Sequence, residues 1–325
     1  MADVAAAAGV SGQTVSRVVN SSPRVDPATR ARVEAAMAQL GYRPHRAARA
    51  LRTGRTQTLG LVVSTLASVG NSRMLQAVAD AAAARGYALT VVTLGAAADV
   101  RGAFERLSDQ GVDGAVVLNE ATAAALGTTG PRGLRLVVVD APPGTVGVGI
   151  VQSDHAEGAR SATTHLLGLG HRTVHHVAGP EGSFAAAERE RGWREALAAA
   201  GRTAPAVARG DWTAASAHSA SASLARDPAV TAVFAANDQS ALGAIRAFAE
   251  AGRRIPEDVS IVGFDDIADA ADYRPPLTTV RQDFDRLGEL AVSALVAGIE
   301  DRASGFHVVP TTLVVRESSA PPLTR

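Results

Sequence analysis

Gln13 and Arg17 stand about one helical turn apart in Gly9-Val10-Ser11-Gly12-Gln13-Thr14-Val15-Ser16-Arg17-Val18-Val19-Asn20. Each can form paired hydrogen bonds with a base edge in a DNA major groove, Gln with adenine and Arg with guanine. Ser11, Gly12, Thr14, Ser16 and Asn20 around them are short and mostly polar, which lets a phosphate come close. Val15, Val18 and Val19 are spaced i, i+3, i+4, and Val4, Ala5 and Ala8 i, i+1, i+4, so each set lines one face of a helix. Gly9 suits the left-handed residue that ends the first helix, and Ser11 is placed to cap the second. Two short helices around a tight turn, the second (Ser11–Asn20) with its polar face outward, predict a helix-turn-helix that reads duplex DNA. A small bundle with an incidentally polar surface would not require turn, cap and face to agree.

A second set of chemically able residues interrupts apolar runs. Ser64 follows Leu61-Val62-Val63, Asp140 follows Val137-Val138-Val139, Asn237-Asp238 follows Val233-Phe234-Ala235-Ala236, and Asp265-Asp266 follows Val262-Gly263-Phe264. Carboxylates and amides offer sugar hydroxyls bidentate partners, and aromatic residues such as Trp212 and Phe284 offer ring faces an apolar contact. One such residue is most often a helix cap; four at strand ends together predict a binding site. Asp265-Asp266 has the look of an acid pair, but no nucleophile or paired base accompanies it. There is no Gly-x-Ser-x-Gly elbow, P-loop or strand-linked Gly-x-Gly-x-x-Gly. His175 and His176 would point to opposite faces of a strand, so with His171 they make no expected metal site.

These residues need elements to hold them. Asp26 and Pro27 open a third helix with Val33, Met37 and Leu40 as its buried stripe and Gly41 as its stop. Residues 43–55, Arg-rich and bounded by Pro44 and Gly54, are too short to be a stable helix alone. Composition leaves open whether they form a solvated linker or a segment that folds only on DNA. From Gln57 the texture changes. Strands are predicted at Thr58–Val63, Ala88–Leu94, Ala115–Leu118, Leu136–Val139, Thr173–Val177, Thr231–Phe234 and Val259–Val262. Helices are predicted at Ser72–Arg85, Val100–Gln110, His155–Leu169, Ala185–Ala199, Ala214–Arg226 and Ser240–Glu250. This alternation predicts an α/β protein with parallel sheets covered on both faces, and its length predicts two lobes. Ligands of such sheets sit beyond the carboxyl ends of the strands.

Charge is divided along the chain. The whole has 32 basic residues, all Arg, and 32 acidic ones. Residues 1–55 hold nine arginines against Asp3, Asp26 and Glu34, a net of +6, so the rest carries −6. A basic head on an acidic body engages phosphate through one end. Zero cysteines exclude disulfides and Cys-type metal sites and accord with a cytoplasmic location. No apolar run reaches membrane-spanning length and the N-terminus is no signal peptide, so neither a membrane nor secretion is expected.

The chain resembles the lac repressor family of bacterial transcription regulators over essentially its whole length. The reading unit Gly9–Asn20 carries the likeness, as do Gly210-Asp211-Trp212, Ala236-Asn237-Asp238-Gln239, Pro275-Pro276-Leu277-Thr278-Thr279 and Gln282-Asp283-Phe284. The resemblance implies a DNA-binding repressor, not an enzyme, released from operator DNA by a galactoside-like sugar and needing no cofactor or metal. Its core would have the periplasmic-binding-protein fold. It divides the chain into a headpiece at 1–43, a hinge at 44–56 and a core at 57–325. Lobe 1 would take about 57–152 and 282–309, and lobe 2 about 153–281 and 310–325. His45, Arg46, Arg49 and Leu51 would lie in a hinge helix formed on DNA, with Leu51 inserted in the minor groove. The inducer site would comprise Ser64, Met74, Asp140, Arg189, Trp212, Asn237, Asp265, Gln282 and Phe284. Without the resemblance, Arg189 in Glu188-Arg189-Glu190-Arg191 reads as part of an exposed charged helix face. The alternative is a sugar-binding or sugar-processing protein fused to a DNA-binding head.

The sequence departs from the family pattern in places. Ser68 and Gln152 replace an apolar wall, which predicts a more polar side to the site. Gly12 replaces a large aromatic reader, which predicts a different operator. No leucine heptads follow Pro321-Pro322, which favours a homodimer over a tetramer, and the short arm before the first helix is missing or lies upstream of Met1.

Overall fold

The computed structural model describes residues 1–19, 22–42, 54–95, 99–126, 128, 133–145, 147–302 and 305–323. The chain forms two compact units, Met1–Thr56 and Gln57–Arg325.

The first unit is three helices, α1 (Ala2–Ala8), α2 (Gly12–Val19) and α3 (Pro27–Gln39). Gly9, with φ 64°, ends α1, and its backbone N–H bonds back to the α1 carbonyls. Asp26 caps α3 by accepting from the Thr29 N–H at 2.9 Å, which holds its carboxyl below the ordinary range. Val4, Ala5, Ala8, Val15, Val18, Val33 and Ala36 close the core. Leu40, expected in the α3 stripe, is instead 47% exposed, because α3 ends at Gln39 and Leu40 is already its cap; Ala36 and the half-buried Met37 fill that side.

In the second unit β1 (Thr58–Val63), α4 (Val69–Ala84), β2 (Ala88–Thr93), α5 (Val100–Asp109), β3 (Gly114–Val117), α6 (Glu120–Leu126), β4 (Arg135–Val139) and β5 (Gly149–Ser153) alternate. Then follow α7 (His155–Gly168), β6 (His175–Ala178), α8 (Phe184–Ala199), β7 (Ala208–Arg209), α9 (Ala214–Arg226), β8 (Ala232–Ala235), α10 (Asp238–Glu250), β9 (Ser260–Asp265) and β10 (Thr278–Arg281). The chain closes with α11 (Phe284–Ile299), β11 (Phe306–Val309) and β12 (Thr312–Val314). They build two six-stranded sheets, ordered β11-β5-β4-β3-β1-β2 and β12-β10-β9-β8-β6-β7. All pairings are parallel except β10 with β12.

Apolar strands suit burial on both faces. In the first sheet Leu59, Leu61, Val116 and Val137 pack under α4 and α11, while Val62, Val117 and Val138 pack under α5 and α6. In the second, Val233 and Ile261 face α9 and α10, while Phe234 and Val262 face Leu166, Trp193 and Leu197 of α7 and α8. The chain passes from one sheet to the other after β5, after β10 and after β11, giving two lobes joined by three crossings. The carboxyl ends of β3, β4, β8 and β9 meet at a cleft between them.

Candidate functional site

On α2 the helix sorts its residues by face. Val15 and Val18 are buried, Gln13 and Arg17 are exposed together with Ser11 and Gly12, and Thr14 and Ser16 are half-buried between. Ser11 starts the helix as expected, its Oγ accepting from the Thr14 N–H at 3.2 Å. A Cβ built on Gly12 meets nothing within 4 Å, so packing does not require glycine there. Asn20, His45, Arg46, Arg49 and Leu51 lie outside the described residues.

The cleft of the second unit holds a cavity that opens to solvent. Met74, Asp140, Arg189, Trp212, Asn237, Asp265, Gln282 and Phe284 all line it. Ser64 does not: α4 starts at Val69, and its cap Ser68 and first-turn Gly70 face the cavity instead. Gln152 is buried on β5 away from the lining, its Oε1 without a hydrogen-bond partner; of the two residues expected to make the wall polar, Ser68 alone faces the cavity.

Arg189 is the centre of the arrangement. It is 4% exposed on α8, so it is not part of the exposed charged face to which Arg191 belongs. Its guanidinium lies 3.5 Å from Asp265 Oδ1, donates to the Ala236 carbonyl and sits 3.9 Å over the Phe264 ring. Its Nε also donates to His155 Nδ1 at 3.3 Å. Since His155 Nδ1 accepts, the proton is on Nε2, which donates to Asp140 Oδ1 at 2.9 Å. A charged chain Asp265–Arg189–His155–Asp140 thus spans the cleft, with Asp140 from the first lobe and the rest from the second. Burial lowers the Arg189 pKa, opposed by Asp265 and Asp140; burial raises Asp265, opposed by Arg189.

The other side chains are fixed as closely. Gln282 donates to Asp265 Oδ1 at 2.6 Å. Asn237 caps α10 through Ser240 N–H at 2.8 Å and donates to the Trp212 carbonyl at 3.1 Å. The Trp212 indole N–H donates to Glu120 Oε1 at 2.8 Å, across the cleft. Asn119, Asp140, Trp212 and Asp265 all have left-handed φ (48°, 63°, 76° and 113°), a backbone state costing about 1–3 kcal/mol each and typical of functional positions. Asp266 faces away, held by Arg281 and Arg316 at 2.6 Å each, so Asp265 has no partner for acid–base catalysis in it.

His155, Glu120 and Asn119 are lining residues that sequence reasoning missed. Asn119 and Glu120 directly follow the predicted strand Ala115–Leu118, and the strand-end rule that found Asp140 would have found them. His155 stands next to the cap Asp154, with no mark that separates it from any first-turn residue. Among the described residues no three His, Asp or Glu side chains gather to hold a metal, and no helix is long and apolar enough to cross a membrane.

Comparisons with known proteins agree with this fold. Residues 1–45 match the bacterial regulatory proteins of the lacI family, and residues 163–319 match the periplasmic binding protein-like domain. The chain is 36% identical to the lactose operon repressor of Escherichia coli (strain K12), covering 99% of this chain and 91% of that protein. It is 39% identical to the HTH-type transcriptional regulator CelR of Thermobifida fusca, covering 97% and 96%. Among solved structures, the lac repressor dimer bound to operator and the anti-inducer ONPF superposes with a TM-score of 0.86 at 34% identity, covering 98% of each chain. A CelR–cellobiose complex superposes with a TM-score of 0.70 at 36% identity, covering 97% and 98%.

Proposed function

The chain belongs to the lacI family of bacterial regulatory proteins, and from that premise we propose that it is a DNA-binding repressor that a sugar releases from its operator. The observation that carries this reading is the cavity in which Arg189, Asp265 and Asp140 meet beside Trp212, with lining residues drawn from both lobes. Buried carboxylates accept from sugar hydroxyls, and Trp212 and Phe284 offer apolar contact to the ring. A ligand touching both lobes binds one lobe arrangement better than another, and only such a difference moves a conformational equilibrium. Cross-cleft bonds stand where that equilibrium is set: Trp212 to Glu120 at 2.8 Å and the Val69 N–H to Gln239 Oε1 at 3.1 Å.

At the DNA, Gln13 and Arg17 read bases while Ser11, Thr14, Ser16 and Asn20 meet phosphates. A homodimer presents two recognition helices to a pseudo-palindrome, since one small headpiece makes too few base contacts. His45, Arg46, Arg49 and Leu51 act as the hinge that couples sugar to DNA, and the protein works in the cytoplasm without catalysing a reaction. The test is a thermal-shift screen of mono- and disaccharides, followed by operator binding measured by fluorescence anisotropy with each hit. Release of operator by an unaltered sugar supports the reading. Turnover of the sugar, with operator binding indifferent to it, would instead support the sugar-processing alternative.

A further inference from the structure

The side chains that line the cavity carry more negative than positive charge. The lining amides and the Trp212 indole each give a hydrogen bond within the protein. Gln282 gives to Asp265 at 2.6 Å, Asn237 to the Trp212 carbonyl at 3.1 Å, Trp212 to Glu120 at 2.8 Å, and Asn119 to Asn71. Arg189, the one Arg or Lys among the described lining residues, is shared by Asp265, the Ala236 carbonyl and His155. Against it stand Asp140, Asp265 and Glu120, three carboxylates that only accept.

We propose that the cavity takes an uncharged sugar and rejects anionic ones, with Glu120 a specificity-determining residue for that choice. A sugar hydroxyl arrives with a proton to give, which three carboxylates can take. A phosphate or uronate arrives with acceptors and negative charge, finds Arg189 engaged, and must sit among like charges in a site where burial weakens solvent screening. Glu120 adds the third carboxylate at the side of the cavity where Trp212 stands, so it extends the exclusion to the part of the ligand that ring carries.

The inference rests on the sugar-effector reading of this cavity. The test is isothermal titration calorimetry of the full chain with glucose, galactose, cellobiose and lactose, each beside its 6-phosphate. A neutral sugar binds, and its 6-phosphate binds about a hundredfold more weakly or worse, the scale of a buried like-charge clash. Glu120→Gln keeps an acceptor for the Trp212 indole but loses the charge, and narrows that gap by about tenfold. A 6-phosphate that binds as tightly as its parent sugar, or a gap unchanged in Glu120→Gln, overturns the proposal and leaves the sugar-effector reading standing. If no sugar of the mono- and disaccharide screen binds in either form, the effector reading itself falls.

Discussion

At the scale of single residues, the headpiece makes the sharpest statements. Gln13 and Arg17 are exposed on the face of α2 opposite buried Val15 and Val18. Arg17→Ala and Gln13→Ala should each weaken specific operator binding by about 1–3 kcal/mol, and Gln13→Ala should leave binding to random duplex nearly unchanged. Competition with random DNA in a mobility-shift assay checks this; equal losses on both DNAs would remove the base-reading roles. Gly12 leads to a second expectation. Its exposed site has open space around the missing Cβ, so Gly12→Tyr should fold with an unchanged melting temperature and shift operator preference at one base pair. Selection from a randomised operator library reads that shift directly, and an unchanged preference would mean that position 12 does not face the bases.

At the scale of elements, support of the cavity matters as much as its lining. Gly179 follows β6, where a Cβ would come within 2.5 Å of the Trp212 ring. Gly179→Ala should therefore displace Trp212 and lower sugar affinity by about tenfold or more while the lobes keep their fold, as calorimetry alongside circular dichroism would show. Asp238, at the start of α10, accepts from the Ile267 N–H at 2.8 Å and from Thr279, bracing the turn that carries Asp265. Burial, then nearby Asp265, pushes its pKa well above 3.8. A carboxyl raised in the folded state lowers stability as pH climbs from the unfolded value through the folded one. Asp238→Asn, which keeps an acceptor for Ile267, should thus gain on the parent at pH 7 and lose that advantage towards pH 4 in thermal melts; an advantage that grew on acidification would reverse the sign. Much of this scaffold is legible in the sequence: β1 and α9 fall at their expected bounds, and most helices lie within two residues. What escapes has physical reasons. Gln152-Ser153 ends β5 in polar residues, and β7 and β12 are too short for periodicity. In α11, Gly288 interrupts the helical pattern because the helix crosses α4 so closely that a Cβ would come within 2.5 Å of Ala77. Arg189 escapes composition for another reason: sequence cannot show that one arginine of a charged run turns inward, so its role came only through family resemblance.

At the scale of the whole molecule, the division of charge and the division of structure coincide. The headpiece region, residues 1–55, carries +6 and the remainder −6, so duplex DNA is drawn to one end and the acidic cavity is left to a neutral ligand. The chain crosses three times between the lobes, and Gln282, on the second crossing, holds Asp265 directly. A ligand that bonds Asp265 therefore acts beside a segment that joins the lobes. This grip is proposed to be what releases DNA. The most direct measurement is operator anisotropy titrated with the sugar found by screening, for the parent chain and for Asp265→Asn. Both should bind operator alike without sugar; at saturating sugar the parent should be released and Asp265→Asn should stay bound. Release of Asp265→Asn at the same sugar concentration as the parent would contradict it.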